Sequence, residues 1–133
     1  MKLIVSTESN QKFSIGLADA SQLIDFELVE KPFMQSELVL KTIDKFFSKY
    51  KVSIKNLEEI IVISGPGDFS AVRIGISIAN ALAYAWNISV KAVESEKNYK
   101  SEEKKLKEVL KMSEQIKVSK IAKPVYIAEP NIT

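Results

Sequence analysis

Four consecutive β-branched residues, Ile60-Ile61-Val62-Ile63, run into Gly65-Pro66-Gly67 after a single serine. A strand with no polar alternation must be covered on both faces, so it belongs at the centre of a sheet with layers on either side. The glycine turn ends that strand, and residues 70–86 then read as a helix. A buried strand feeding a helix through a tight turn is a unit of α/β architecture, and it demands neighbouring strands on each flank.

The rest of the chain supplies them. Residues 2–6 form a compact apolar run. Residues 12–18 alternate through Phe13, Ile15 and Leu17, and residues 23–29 alternate less cleanly through Ile24, Phe26 and Leu28. Short polar connections between them predict an antiparallel meander. After Lys31-Pro32 the period changes, and from residue 36 to about 51 Val39, Ile43, Phe46, Phe47 and Tyr50 recur at three and four. This predicts an amphipathic helix with Ser36 as N-cap and Glu37 in its first turn. Residues 89–93 read as a strand, 101–118 as a Lys/Glu-rich helix with one apolar side, and 124–128 as an edge strand or surface tail.

A three-strand meander followed by two right-handed α crossovers gives a five-stranded mixed sheet of order 3-2-1-4-5 with helices on its faces. That is the ribonuclease-H-like arrangement of the actin-like ATPase superfamily. Doubly wound folds open β-α-β, so the meander argues against them. The length, 133 residues, fits one ordinary domain.

Composition excludes several chemistries. The chain has no Cys and no His, so disulfides, Cys/His zinc sites and Ser-His-Asp or Cys-His catalysis are ruled out. The zeros make a catalytic role the weaker reading and fit a cytoplasmic protein. The first apolar run is too short for a signal peptide, and no stretch approaches the 18 or so apolar residues of a membrane span. Charge is nearly balanced at +2, so no strongly charged partner is implied. Residues 95–133 are the more basic part, with nine basic and six acidic side chains. A solvated helix face is the default for that region, with weak tRNA or phosphate contact as a second reading.

The turn and the helix after it are the candidate functional elements. Gly65, Pro66 and Gly67 at a strand-to-helix junction can expose N–H groups at a helix N-terminus, the physics of a phosphate site. The segment lacks the Gly-Lys-Ser/Thr ending of a P-loop, and Ser70 stands where a dinucleotide fingerprint needs glycine. Asp68 would also repel an anion. A structural turn is the favoured reading and an anion site the alternative. In the helix, Ala71, Gly75, Ala79 and Ala83 lie four apart and form a ridge with little side-chain volume, while Arg73 is its sole charge. A helix apolar nearly all round must be buried on more than one side. The sheet covers one side; the small ridge invites a close second helix, either residues 36–51 or a partner's, and the partner is favoured. A metal-nuclease reading would need carboxylates at the end of the first strand. Ser6 stands there, and Glu8 and Asp68 are the nearby candidates.

Residues 65–75, Gly-Pro-Gly-Asp-Phe-Ser-Ala-Val-Arg-Ile-Gly, resemble the Gly-Pro-Gly-Ser-Phe-Thr-Gly-Leu/Val-Arg-Ile-Gly signature of the TsaB (YeaZ) family. The opening strand with Thr7, the Gln35 region, Leu57-Glu58-Glu59-Ile60 and Pro124-Val125-Tyr126-Ile127 match in register. The resemblance covers residues 1–95 and the tail. It implies an actin-like fold and a non-catalytic, cytoplasmic subunit with no cofactor of its own. Such a subunit binds and stabilises the TsaD transferase in threonylcarbamoyladenosine modification of tRNA. It further implies a homodimer when alone, a TsaE-type ATPase as a further partner, tRNA contact only indirect or weak, and no membrane. The interface implied is the bundle of the first two helices. On this chain it would be carried by Val39, Ile43, Phe46 and Tyr50 with Ala71, Arg73, Gly75, Ala79 and Ala83, aimed by the turn Gly65, Pro66, Gly67 and Phe69. Ser6-Thr7 replaces the family's Asp-Thr, Phe33 or Met34 its histidine, and Ser70-Ala71 its Thr-Gly. Residues 1–95 are then expected to form the N-terminal lobe, and 96–133 a helix and tail remaining from a second lobe. A stand-alone nucleotide-binding or ATP-hydrolysing actin-like protein is the alternative.

Overall fold

The structure is a computed structural model, which describes residues 1–95 and 99–116. Strands β1 (Lys2–Ser6), β2 (Phe13–Asp19) and β3 (Gln22–Val29) are followed by α1 (Gln35–Tyr50), a short 3-10 turn (Ile54–Asn56) and β4 (Glu59–Gly65). Helix α2 (Phe69–Trp86), strand β5 (Ser89–Glu94) and α3 (Glu102–Ser113) complete the order. The sheet order is β3-β2-β1-β4-β5, as the sequence predicts. The meander pairs are antiparallel, and β1–β4 and β4–β5 are parallel.

Alternation along the central strands divides the core in two. Ile60 and Val62 of β4 join Leu3, Val5, Phe13 and Ile15 beneath α1 and α2. Ile61 and Ile63 join Ile4, Val93 and the α3 residues Leu106, Val109 and Leu110 on the opposite face. Ile60, Ile61, Val62 and Ile63 are fully buried, which explains why the run between Glu59 and Ser64 carries no polar alternation. Truncating one of them to Ala would cost about 2–5 kcal/mol. Helix α3 therefore shares a core with residues 1–95, across the expected division after residue 95.

The helix ends depart from expectation for local reasons. α1 begins at Gln35 rather than Ser36, with Met34 at the cap position and no side-chain cap. Gln35 is buried, and its Nε2 donates to the Ser9 carbonyl, which anchors the first turn from outside. Phe33 enters with a positive φ of 59°, its N–H donating to the Asn10 carbonyl at 2.8 Å. Lys51 and Asn87, both in left-handed conformation, close α1 and α2. In α3 the Ser101 hydroxyl accepts from the Lys104 N–H, a standard N-cap, and the helix stops at Ser113, short of the predicted residue 118. The predicted strand at 124–128 lies outside the described residues.

Candidate functional site

The β1–β2 connection holds the starts of α1, α2 and α3. The Asp68 N–H at the head of α2 donates to the Glu8 carbonyl at 2.8 Å. The Asn10 N–H donates to Asp68 Oδ2 at 2.8 Å, and the Ser70 hydroxyl to Asn10 Oδ1 at 3.0 Å. Gly67 is required here: a Cβ on it would lie 2.3 Å from the Glu8 carbonyl oxygen. Gly65 takes a φ of 118°, open to glycine, and its carbonyl accepts from the Ser95 N–H at 2.9 Å. The turn is thus packed against the chain itself. The Glu8 carbonyl takes the Asp68 N–H at the helix head, and the Asp68 carboxylate, held by the Asn10 N–H, brings negative charge to the α2 N-terminus. This geometry supports the structural-turn reading.

Glu8 is likewise engaged. Its side chain accepts from the Ser6 hydroxyl at 2.8 Å and pairs with Lys105 Nζ at 2.7 Å. Lys105 also pairs with Glu102 at 2.5 Å, and Glu102 accepts from the Ser14 hydroxyl at 3.2 Å. Burial alone would lower the Lys105 pKa, but the adjacent Glu8 and Glu102 carboxylates outweigh it and hold the ammonium above its ordinary value. A fixed cation is therefore paired with the Glu8 carboxylate in the β1–β2 connection. Asp68 turns away from Glu8 to Asn10, so the two nuclease candidates do not converge. Among the described residues no three acidic side chains gather as metal ligands.

The proposed interface residues separate sharply in space. Val39, Ile43 and Phe46 on α1 are buried in the chain's own core. Ala71, Gly75, Ala79 and Ala83 are buried as well. Their ridge faces the sheet, where a Cβ on Gly75 would come within 1.7 Å of Thr7 Oγ1. The expectation that this ridge presents itself to a partner helix is corrected: its small volume lets α2 settle against the end of β1. Tyr50 is also turned inward, donating its hydroxyl to Asp25 on β3. Arg73 and Phe69 remain at the surface, the guanidinium 5.8 Å from the Phe69 ring centre.

What α1 and α2 do present is a different line. Leu40, Ile74 and Ile78, with Ser36, Phe69, Ser70, Arg73 and Ser77, border a mostly apolar groove of about 530 Å³. Leu40 is 49% exposed and Phe69 39%. Sequence reasoning missed Leu40, Ile74 and Ile78 as surface positions. The available signal was that Leu40 is apolar yet lies outside the Val39–Ile43–Phe46–Tyr50 stripe, as does the pair Ile74 and Ile78 relative to the small ridge.

Comparison with known proteins gives the family. Residues 34–124 match the family model described as TsaD: tRNA N6-adenosine threonylcarbamoyltransferase. The tRNA threonylcarbamoyladenosine biosynthesis protein TsaB of Bacillus subtilis is 25% identical over 95 residues, covering 71% of this chain and 42% of that protein. The structure of YeaZ from Pseudomonas aeruginosa superimposes with a TM-score of 0.65 at 23% identity, over 71% of this chain and 43% of that one. A second Pseudomonas aeruginosa structure, described as an uncharacterized protein with similarity to peptidase YEAZ, gives the same figures. These structures share the fold, and this chain spans less than half the length of each relative. The family model covers well over half of the chain, and the chain belongs to the TsaD family.

Proposed function

We propose that this chain is a non-catalytic, TsaB-like partner subunit that binds and stabilises a TsaD-type transferase in threonylcarbamoyladenosine modification of tRNA. The observation that carries the proposal is the α1/α2 groove. Leu40, Phe69, Ile74 and Ile78 leave an apolar surface open between two helices whose buried sides are already satisfied by the sheet. Apolar area left in water is a cost that a second helical surface removes, at about 25 cal/mol per Å² covered. The interface of this proposal keeps Arg73 and Phe69 at its rim. It replaces the buried ridge with Leu40, Ile74 and Ile78. When no transferase is present, a second copy of the chain covers the same groove, giving a homodimer.

Two features support the non-catalytic part. Lys105 holds the Glu8 and Glu102 carboxylates in ion pairs, and the glycine turn is packed onto Glu8 and Asn10 rather than open to a nucleotide. The test uses Leu40→Asp at an exposed position and Ile74→Asp at a half-buried one, with thermal melting to check that each variant keeps its fold. Size-exclusion chromatography with a TsaD-type transferase should show the wild-type complex and its loss with either variant, since a charge buried in an apolar contact costs several kcal/mol. Complex formation at wild-type level by both variants would reject this interface.

A further inference from the structure

Helix α3 lies on the face of the sheet opposite the α1/α2 groove, and its outward side carries a line of like charge. Lys100, Lys104, Lys107 and Lys111 are all exposed. Lys104, Lys107 and Lys111 lie on α3 itself, where at 3.6 residues per turn they fall within about 60° of arc with steps of roughly 4.5–6 Å along the axis, and Lys100 lies just before the Ser101 cap. The core residues Leu106, Val109, Leu110 and Ser113 occupy the other side of the helix. Glu103, Glu108 and Glu114 flank the line rather than interrupt it. The Glu103–Lys107 pair, at 3.3 Å, has both side chains more than half exposed, so it yields readily to a competing anion. A shallow groove borders the line on each side. One, of about 370 Å³, places Tyr99 beside Lys100, Lys104 and Lys107. The other, of about 510 Å³, runs past Lys107 and Lys111 to the β2–β3 turn at Ser21 and Gln22.

We propose that this lysine line is a contact for the phosphate backbone of RNA, with one strand lying along α3 and an unpaired base against Tyr99. Charge complementarity selects the occupant. Three ammoniums in line along α3, with the Lys100 ammonium just ahead of them, match a polymer carrying a phosphate every few ångströms, and a neighbouring aromatic ring matches the bases of single-stranded RNA. The inference rests on the reading of the chain as a subunit acting on tRNA. It adds that the subunit touches RNA directly, from a face the transferase leaves free. Binding of this kind is not sequence-specific and falls steeply with salt, with a log–log slope of about −3 for four phosphates.

The test is fluorescence anisotropy of an unmodified tRNA transcript with the purified chain between 50 and 200 mM salt. Lys104→Glu/Lys107→Glu should weaken binding about tenfold or more and reduce the slope by about 1.5. Lys41→Glu/Lys55→Glu, which makes the same charge change on α1 and in the 3-10 turn, should leave affinity and slope unchanged. Equal loss with both pairs would overturn the proposal, because it would mean bulk charge rather than this line. No tRNA binding by the wild type, or polyglutamate binding as tightly as tRNA in wild-type competition, would overturn it too. Transferase association is measured on the same α3 variants and should be retained. A failed RNA contact with association intact refutes only this inference, whereas loss of association in the groove variants speaks to the function itself.

Discussion

Gly75 shows how one residue sets the seat of a helix. Alanine is about 1 kcal/mol better than glycine inside a helix, so Gly75→Ala would stabilise an isolated α2. In the fold the new methyl would overlap Thr7 Oγ1 at 1.7 Å and Thr7 Cβ at 2.9 Å, both on a fully buried residue that has little room to move. Overpacking of this kind costs about 1–3 kcal/mol, so the clash wins and the variant should be less stable in urea melts. Thr7→Ala removes the nearer atom, and the double variant should recover part of the loss as a coupling between the two sites. Asp25 offers a second residue-level test. The Tyr50 hydroxyl lowers its pKa from the ordinary 3.8, with burial opposing and the Phe26 N–H and Lys49 assisting. A depressed folded pKa contributes stability above the unfolded pKa and loses it as pH falls through the folded value. Tyr50→Phe should therefore lower Tm at pH 7 and do so less at pH 3, as thermal melts at the two pH values will show.

At the scale of elements, the sequence was legible wherever local period decides the structure. The unalternated run at Ile60–Ile63 and the three-and-four spacing of α1 gave strand and helix, and chain order then fixed the sheet. Which side of α2 meets the sheet was not legible. A helix apolar nearly all round has no polar face to point outward, so the ridge Ala71–Gly75–Ala79–Ala83 could be assigned to either neighbour. The deciding contact is with Thr7, 68 residues away in the chain by the numbering. The start of α1 was hidden for a related reason. Its anchor is the Gln35 side chain on the Ser9 carbonyl, a tertiary bond that no capping pattern encodes. The same limit explains the candidate site. Its signature turn was visible as Gly65-Pro66-Gly67, but the surface groove depends on which residues remain uncovered once α1 and α2 lie side by side, with Phe47 and Trp86 rings 5.6 Å apart.

At the scale of the whole molecule, the two faces of the sheet meet at Glu8. Its carbonyl holds the head of α2, while its carboxylate holds Lys105 of α3 from the other face. Lys105 and Glu8 are 97 residues apart, and a pairing so distant leaves no local trace in the sequence. The Lys105 side chain is only 13% exposed and sits between two carboxylates of similar burial. Lys105→Met keeps the aliphatic stem and removes the charge, leaving Glu8 and Glu102 facing each other without a counter-ion. Breaking such a pair costs about 3 kcal/mol, and part of it should return with Glu102→Gln in the same background, which removes the repulsion. Because burial and the carboxylates together leave the Lys105 pKa raised, its contribution is present throughout the neutral range and is lost only as pH rises through that elevated value. The deficit of Lys105→Met relative to wild type should accordingly stay constant from pH 6 to 8 in urea titrations. Hydrogen exchange then locates the effect. If Glu8 joins the faces, amides at the head of α2 near Asp68 should exchange faster in Lys105→Met although the substitution lies on α3. Acceleration confined to α3 would show that the two faces are stabilised separately.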